Sequence, residues 1–259
     1  MTSFIPSHTR ETGERLMRAG DVGASAPVPG LQTLERSLTV FAAEHRLCMK
    51  PVRLAANQPL FSAGEACHSL YLLASGLVRV FDTLADGRRH ITDFARPGDL
   101  LPILDEGAYW QNAEAVVPSK AYAVPRQHFR ELVERHPSLA CQLHEMIRAA
   151  LHAANRRQVL LGCLSALERV ACFLIMAARH SAGRGGPGNT VELLMSRYDI
   201  ADYLGLTVET VSRTLTRLKQ HGQIRLPTPQ EIEIVDKAGL MRLAGLPGIA
   251  GSAHRQHLS

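Results

Sequence analysis

Five side chains able to exchange hydrogen bonds lie close together in the last quarter of the chain: Glu209, Ser212, Arg213, Thr216 and Gln220. In a helix turning about 100° per residue, with Glu209 at zero, Ser212 falls at about 300°, Arg213 at about 40°, Thr216 at about 340° and Gln220 at about 20°. Val208, Val211, Leu215 and Leu218 fall between roughly 180° and 260°. One face is therefore polar and mostly short, and the other is apolar. A guanidinium can fork onto guanine, a carboxylate can accept from a cytosine amino group, and a hydroxyl can do either. That is the chemistry of reading base edges in a major groove. A solvated amphipathic helix shows the same angles, so the face by itself leaves both readings open.

The surrounding residues supply the elements that would position this face. In the stretch MSRYDIADYLGLTVETVSRTLTRLKQHGQIRL (195–226), Ser196 with Asp199 three residues on resembles a capping box and starts a short helix. Gly205 ends that helix, Thr207 caps a second one reaching about His221, and Gly222 stops it. Two capped helices joined by a glycine turn make a helix-turn-helix. Two short strands, Ile224–Leu226 and Glu231–Val235, flank Pro227-Thr228-Pro229-Gln230 and add a wing. The candidate DNA contacts are Ser196, Thr207, Val208, Glu209, Thr210, Ser212, Arg213, Thr216 and Arg217.

Upstream, the pattern predicts an α+β chain. Residues 1–30 read as a mobile tail, and Leu31–His45 as a helix. Between Leu47 and Val124 short apolar runs alternate with turns, and Gly64, Gly76, Gly87 and Gly98 recur every 11 or 12 residues. This spacing predicts an antiparallel β-roll within 31–136, with Asp86-Gly87 as a hairpin turn. After His136-Pro137-Ser138 a long helix is expected over 137–160, and a further helix over Leu164–His180. Leu139, Leu143, Met146, Ile147, Ala150 and Leu151 form a stripe on the long helix that the chain's own domains would struggle to cover, which points to a homodimer. The winged unit is placed at 161–246, with a tail at 247–259.

The 259 residues suffice for one or two domains. No apolar run approaches the roughly 18 residues of a membrane span, and the charged start lacks an export signal, so no membrane partner and a cytoplasmic location are expected. The net charge of +5 permits a polyanionic partner without demanding one. The cysteines, Cys48, Cys67, Cys141, Cys163 and Cys172, are odd in number and irregularly spaced, which argues against disulfides and zinc clips. Cys163 and Cys172 read as small buried side chains, and Cys67 beside His68 as a possible redox or metal site. Hydrolase, P-loop and dinucleotide motifs are absent, so an enzyme is not expected.

The stretch DIADYLGLTVETVSRTLTRL resembles the DNA-binding helices of the CRP/FNR superfamily of bacterial transcription regulators, particularly its FNR and FixK branches. The resemblance spans about residues 31–246. YLLASGLVRVF, DGRRHITDF and RPGD fall where that family has its cyclic-nucleotide-binding-like sensor, and 137–160 matches its dimerisation helix. It implies that Glu209, Ser212 and Arg213 read a palindrome of the type TTGAT-N4-ATCAA as a homodimer touching RNA polymerase.

For the effector, the family's cyclic-nucleotide binders use a Gly-Glu pair and an Arg-Ser pair after the RPGD turn. Here no Lys or Arg lies between Gly98 and Pro118, whereas Asp99, Asp105, Glu106 and Glu114 do, which disfavours a buried phosphodiester. With no cysteine in the first 47 residues, the N-terminal iron–sulfur pattern cannot form. Haem stays open, with His68, His90 and Cys67 available as ligands. Ser196 stands where a redox-switch thiol would precede the motif. A FixK-like activator without a small-molecule cofactor, serving low-oxygen, respiratory or nitrogen-fixation genes, is what the resemblance then implies. The alternatives are a haem- or redox-dependent gas sensor of the same fold, and a small-ligand-binding module without DNA activity.

Overall fold

The computed structural model describes residues 49–182 and 189–245. The expected N-terminal tail and Leu31–His45 helix, Cys48, residues 183–188 and the C-terminal tail lie outside the described residues.

Eight strands form the expected β-roll as two four-stranded antiparallel sheets. One has the order β1 (Lys50–Leu54), β8 (Ser119–Pro125), β3 (Ser69–Ser75), β6 (Leu100–Leu101). The other runs β2 (Pro59–Phe61), β7 (Asn112–Ala115), β4 (Val78–Thr83), β5 (Arg89–Ala95). Leu54, Phe61, Leu73, Val78, Leu101 and Ala113 fill the space between them. Because side chains alternate along a strand, each sheet has a second face. Leu70 and Leu72 of β3 turn away from Leu73 onto the helices that follow. On β4, Val78 and Val80 point into the roll, which sends Arg79 and Phe81 out toward the C-terminal domain.

The turn between β4 and β5 has the expected glycine, with Gly87 at φ +82°, but not a two-residue loop. Leu84 N–H donates to the Arg88 carbonyl at 2.8 Å, so three residues, Ala85 to Gly87, make the bend. In three-residue hairpins a left-handed residue commonly closes an ordinary turn. Gly76 is more tightly constrained. At φ +94°, a Cβ there would lie 2.1 Å from Ser119 Oγ and 2.7 Å from Ser119 Cα.

Helices α1 (Arg126–Arg135) and α2 (Pro137–Cys163) follow, the second running three residues beyond its expected end. His136 is the N-cap of α2 and Pro137 opens its first turn, where a missing N–H costs nothing. The apolar stripe on α2 needs correcting. Leu139 and Met146 are buried, and Leu143 is partly so, against Leu70, Leu72, Leu100 and Val124 of the chain's own β-roll and Phe129 and Leu132 of α1. The outer face of the β1-β8-β3-β6 sheet supplies the cover that the sequence pattern alone could not locate. Ile147 is half-buried, and only Ala150 and Leu151 of the original six are exposed, Leu151 at 61%. From 150 to 156 every residue of α2 is exposed.

After α3 (Ala166–Ala182), the C-terminal domain comprises β9 (Thr190–Glu192), α4 (Arg197–Leu204), α5 (Val208–Gln220), β10 (Ile224–Thr228), β11 (Glu231–Ile234) and α6 (Lys237–Ala244). Its sheet has the order β10-β11-β9. The three-residue β9 was not anticipated. The domain's core is built from α3 (Phe173, Leu174), α4 (Ile200, Leu204) and α5 (Leu215, Leu218), and it takes in Leu77, Ile91 and Phe94 from the β-roll. Among the described residues, no helix is long and apolar enough to cross a membrane.

Candidate nucleic-acid interface

Helices α4 and α5 are delimited as the sequence pattern requires. Ser196 Oγ accepts from Asp199 N–H at 3.1 Å, and the Asp199 carboxylate accepts from Ser196 N–H at 3.1 Å, so both arms of the capping box close. Gly205 ends α4 in the left-handed region at φ 62°, a conformation open to glycine at little steric cost. Thr207 Oγ1 then accepts from Thr210 N–H at 3.2 Å and starts α5. Ser196→Ala removes the cap acceptor together with the hydroxyl that donates to Asp199, so it is expected to cost about 1 kcal/mol of stability. Urea denaturation with an unchanged m-value would measure this.

The exposed face of α5 carries Glu209, Ser212, Arg213, Thr216, Arg217 and Gln220, while Val211, Thr214, Leu215 and Leu218 are buried. Arg213 is held only loosely, with Nη2 3.5 Å from Thr210 Oγ1. The Glu209 carboxyl sits below its usual range, held there first by its own backbone N–H, then by the Thr207 hydroxyl and the nearby Arg213 charge. It is thus an acceptor at neutral pH. The Thr216 hydroxyl donates to the Ser212 carbonyl at 3.0 Å and keeps its lone pairs outward.

Three candidate contacts have structural duties instead of, or beside, free presentation. Ser196 and Thr207 are engaged as caps, and Thr210 Oγ1 lies 2.9 Å from Thr207 Oγ1. Val208, on the apolar side of the helix as its angle predicts, is half-buried, and its branched side chain packs on the domain core. Beside α4, the Arg197 guanidinium donates to the Pro229 carbonyl at 3.1 Å and ties the helix to the wing turn.

Sequence reasoning missed what stands behind α4. Asp199 Oδ1 accepts from Arg79 Nη1 at 3.1 Å and Arg89 Nη2 at 2.8 Å, and Asp202 Oδ2 accepts from Arg89 Nε at 2.9 Å. The Tyr203 ring lies 5.2 Å from that of Phe94, tilted at 41° to it, and sits under the Arg157 guanidinium of α2 at 4.4 Å. Arg169 of α3 donates to the Leu204 carbonyl at 3.0 Å and the Leu161 carbonyl at 2.7 Å, satisfying the ends of two helices at once. The available signal was Arg79 itself, a charged residue inside the alternating run LVRVF.

The cysteine expectations divide. Cys172 is buried, which pushes its thiol up to about 11, but Cys163 is exposed because α2 turns it away from the core. Cys67 is buried with Arg126 Nη2 3.4 Å from its sulfur, while His68 is exposed. Among the described residues, no three His, Cys, Asp or Glu side chains are grouped to hold a metal ion.

Residues 51–136 match the cyclic nucleotide-binding domain, and residues 168–243 match the Crp-like helix-turn-helix domain. The nitrogen fixation regulation protein FixK of Azorhizobium caulinodans is 39% identical over 194 residues, 74% of this chain and 78% of that protein. The chain belongs to the CRP/FNR family of transcription regulators. Within CRP/FNR proteins it is of the FixK/FNR type, and no enzyme is found among these relatives. The transcriptional activator Anr of Pseudomonas aeruginosa is 33% identical over 74% of this chain and 79% of its own. The solved structure of FixK2 from Bradyrhizobium japonicum superposes with a TM-score of 0.71 at 31% identity, covering 76% of this chain and 98% of that one. As a CRP/FNR regulator with this motif, the protein is a DNA-binding transcription factor, and the capped α4–α5 pair lies within its matched helix-turn-helix domain.

Proposed function

We propose that the protein is a cytoplasmic homodimeric activator that reads a TTGAT-N4-ATCAA-like palindrome and works beside RNA polymerase in low-oxygen, respiratory or nitrogen-fixation gene control. The observation that carries the reading is the exposed, hydrogen-bonding face of α5, with Glu209, Ser212 and Arg213 in its first two turns. N-terminal turns of a recognition helix are the ones that enter a major groove. The bare segment 150–156 of α2 supports a second copy packed along that helix, as a palindromic site requires. The names of the FixK relatives support the physiology. Anisotropy with the palindromic duplex and a scrambled duplex of equal length tests the target. Equal affinity for both would refute it.

The same reading includes regulation without a cyclic nucleotide or other small cofactor. Three of the four carboxylates after Gly98 are committed to the fold. Asp99 accepts from Arg96 N–H at 2.7 Å, Asp105 from Trp110 N–H at 2.9 Å, and Glu114 pairs with Arg79. Arg79 is itself shared with Asp199, so a phosphodiester there would have to compete with two carboxylates for it. Cyclic AMP and cyclic GMP are expected to bind no tighter than about 100 µM and to leave DNA affinity unchanged. Calorimetry giving tighter binding together with a gain in DNA affinity would overturn this.

A further inference from the structure

We infer that Arg89, with Arg79, is a positioning residue for DNA reading: by clasping Asp199 and Asp202 from the β-roll, it sets the angle of the recognition helix to the dimer axis and so the half-site spacing the dimer accepts. The inference rests on the palindrome reading above and extends it to how that site is measured out.

The clasp is anchored on the roll before it reaches α4. Arg79 Nη2 donates to Asn57 Oδ1 at 3.0 Å and also bonds Glu114, its cross-strand partner on β7. That leaves Nη1 aimed at Asp199, whose side chain is only 3% exposed. Arg89 then spans two carboxylates one turn apart on α4. Asp199 closes the N-cap of that helix with its other oxygen, so the arginines grip a point that cannot move without the helix.

His90 Nδ1 also lies 3.2 Å from the Asp202 carbonyl oxygen, and the rest of the contact is mainly apolar, through Leu77, Ile91 and Phe94. Apolar burial is non-directional and rewards area rather than one particular angle. Charge-assisted bonds from forked guanidinium groups are directional, and buried ionic groups are best attested as devices of register rather than of stability. Helix α5 shares a core with α4, so whatever fixes α4 also fixes the reading face. Each base pair of spacer moves a half-site by about 3.4 Å and turns it by roughly 34°. A rigid pair of reading heads tolerates little of that change, whereas loosely tethered heads engage a second half-site over a range of spacings.

The test uses full-length protein and duplexes with two inverted TTGAT half-sites separated by two to seven base pairs, plus a single half-site duplex. Wild type should prefer one spacing over its neighbours by about tenfold. Arg89→Ala should flatten that ratio to within about threefold while holding single half-site affinity within about twofold, the dimer remaining intact by light scattering. Arg89→Lys should restore part of the preference, since lysine supplies one point contact in place of the fork. Asp202→Asn gives an independent variant, because Asp202 lies outside the N-cap box and its side chain is 30% exposed. If Arg89→Ala does not fold, this variant decides. Variants that keep the full ratio, or that lose affinity in equal proportion on every duplex, overturn the inference and leave the palindrome reading standing. Wild type indifferent to spacing overturns both.

Discussion

Leu151→Asp is expected to convert the protein to a monomer and to weaken binding to a palindromic duplex by about 10²–10⁴-fold, the gain that an intramolecular second contact normally provides. Leu151 lies in the fully exposed segment of α2. Ile147, Leu151, Ala154 and Gln158 follow steps of four, three and four, the period at which two helices interlock along a seam. An aspartate at position 151 of this seam would bury an unpaired charge against the partner helix. Within one chain the change should be nearly neutral, because the leucine touches little there and surface substitutions usually stay within about 0.5 kcal/mol. Leu143 would be the wrong choice for this test, since it packs on the chain's own β-roll and its loss would confuse unfolding with dissociation. A Leu151→Asp variant that still sediments as a dimer at micromolar concentration would remove α2 as the dimer seam.

Arg213→Ala is expected to cost about 1–3 kcal/mol on the palindrome and to flatten discrimination at the G·C pair of TTGAT. The side chain is exposed, one turn from Glu209, with only a 3.5 Å approach to Thr210 holding it. Its fork is therefore free to extend to the groove floor. A phosphate contact would behave differently. Affinity would fall about equally on every sequence, and the salt dependence would drop by about one counterion per half-site. Wild type and variant, each measured on the palindrome and on a version with that pair swapped at two salt concentrations, separate the two roles. A variant that keeps its full preference for G·C would show that another residue reads the base.

The parts legible in sequence were those written in local rules. The caps at Ser196 and Thr207, the left-handed Gly205 and the polar face of α5 depend on neighbours three or four residues away, and all are found where the pattern places them. The β-roll was legible as a class through its turn spacing, but not in its strand order, which pairs β1 with β8 and β2 with β7 across most of the domain. The apolar stripe of α2 was visible, but helical period tells which side chains share a face and not what covers them. Asp199 was readable as a cap, yet its arginine partners lie 120 and 110 residues away, and no local rule reaches that far. β9 was missed because three residues carry too little alternation to register.

The core of the C-terminal domain incorporates Leu77, Ile91 and Phe94, all between 0% and 3% exposed, from the far side of the chain. A core shared in this way is expected to make the two domains melt as one cooperative unit. Residues 164–245 taken alone would present to water the surface that those three side chains now seal. Destabilising the roll would likewise withdraw cover from the helices that read DNA. Mutations remote from any operator contact can thus lower promoter occupancy simply by shrinking the folded fraction, with no change in what the folded molecule recognises.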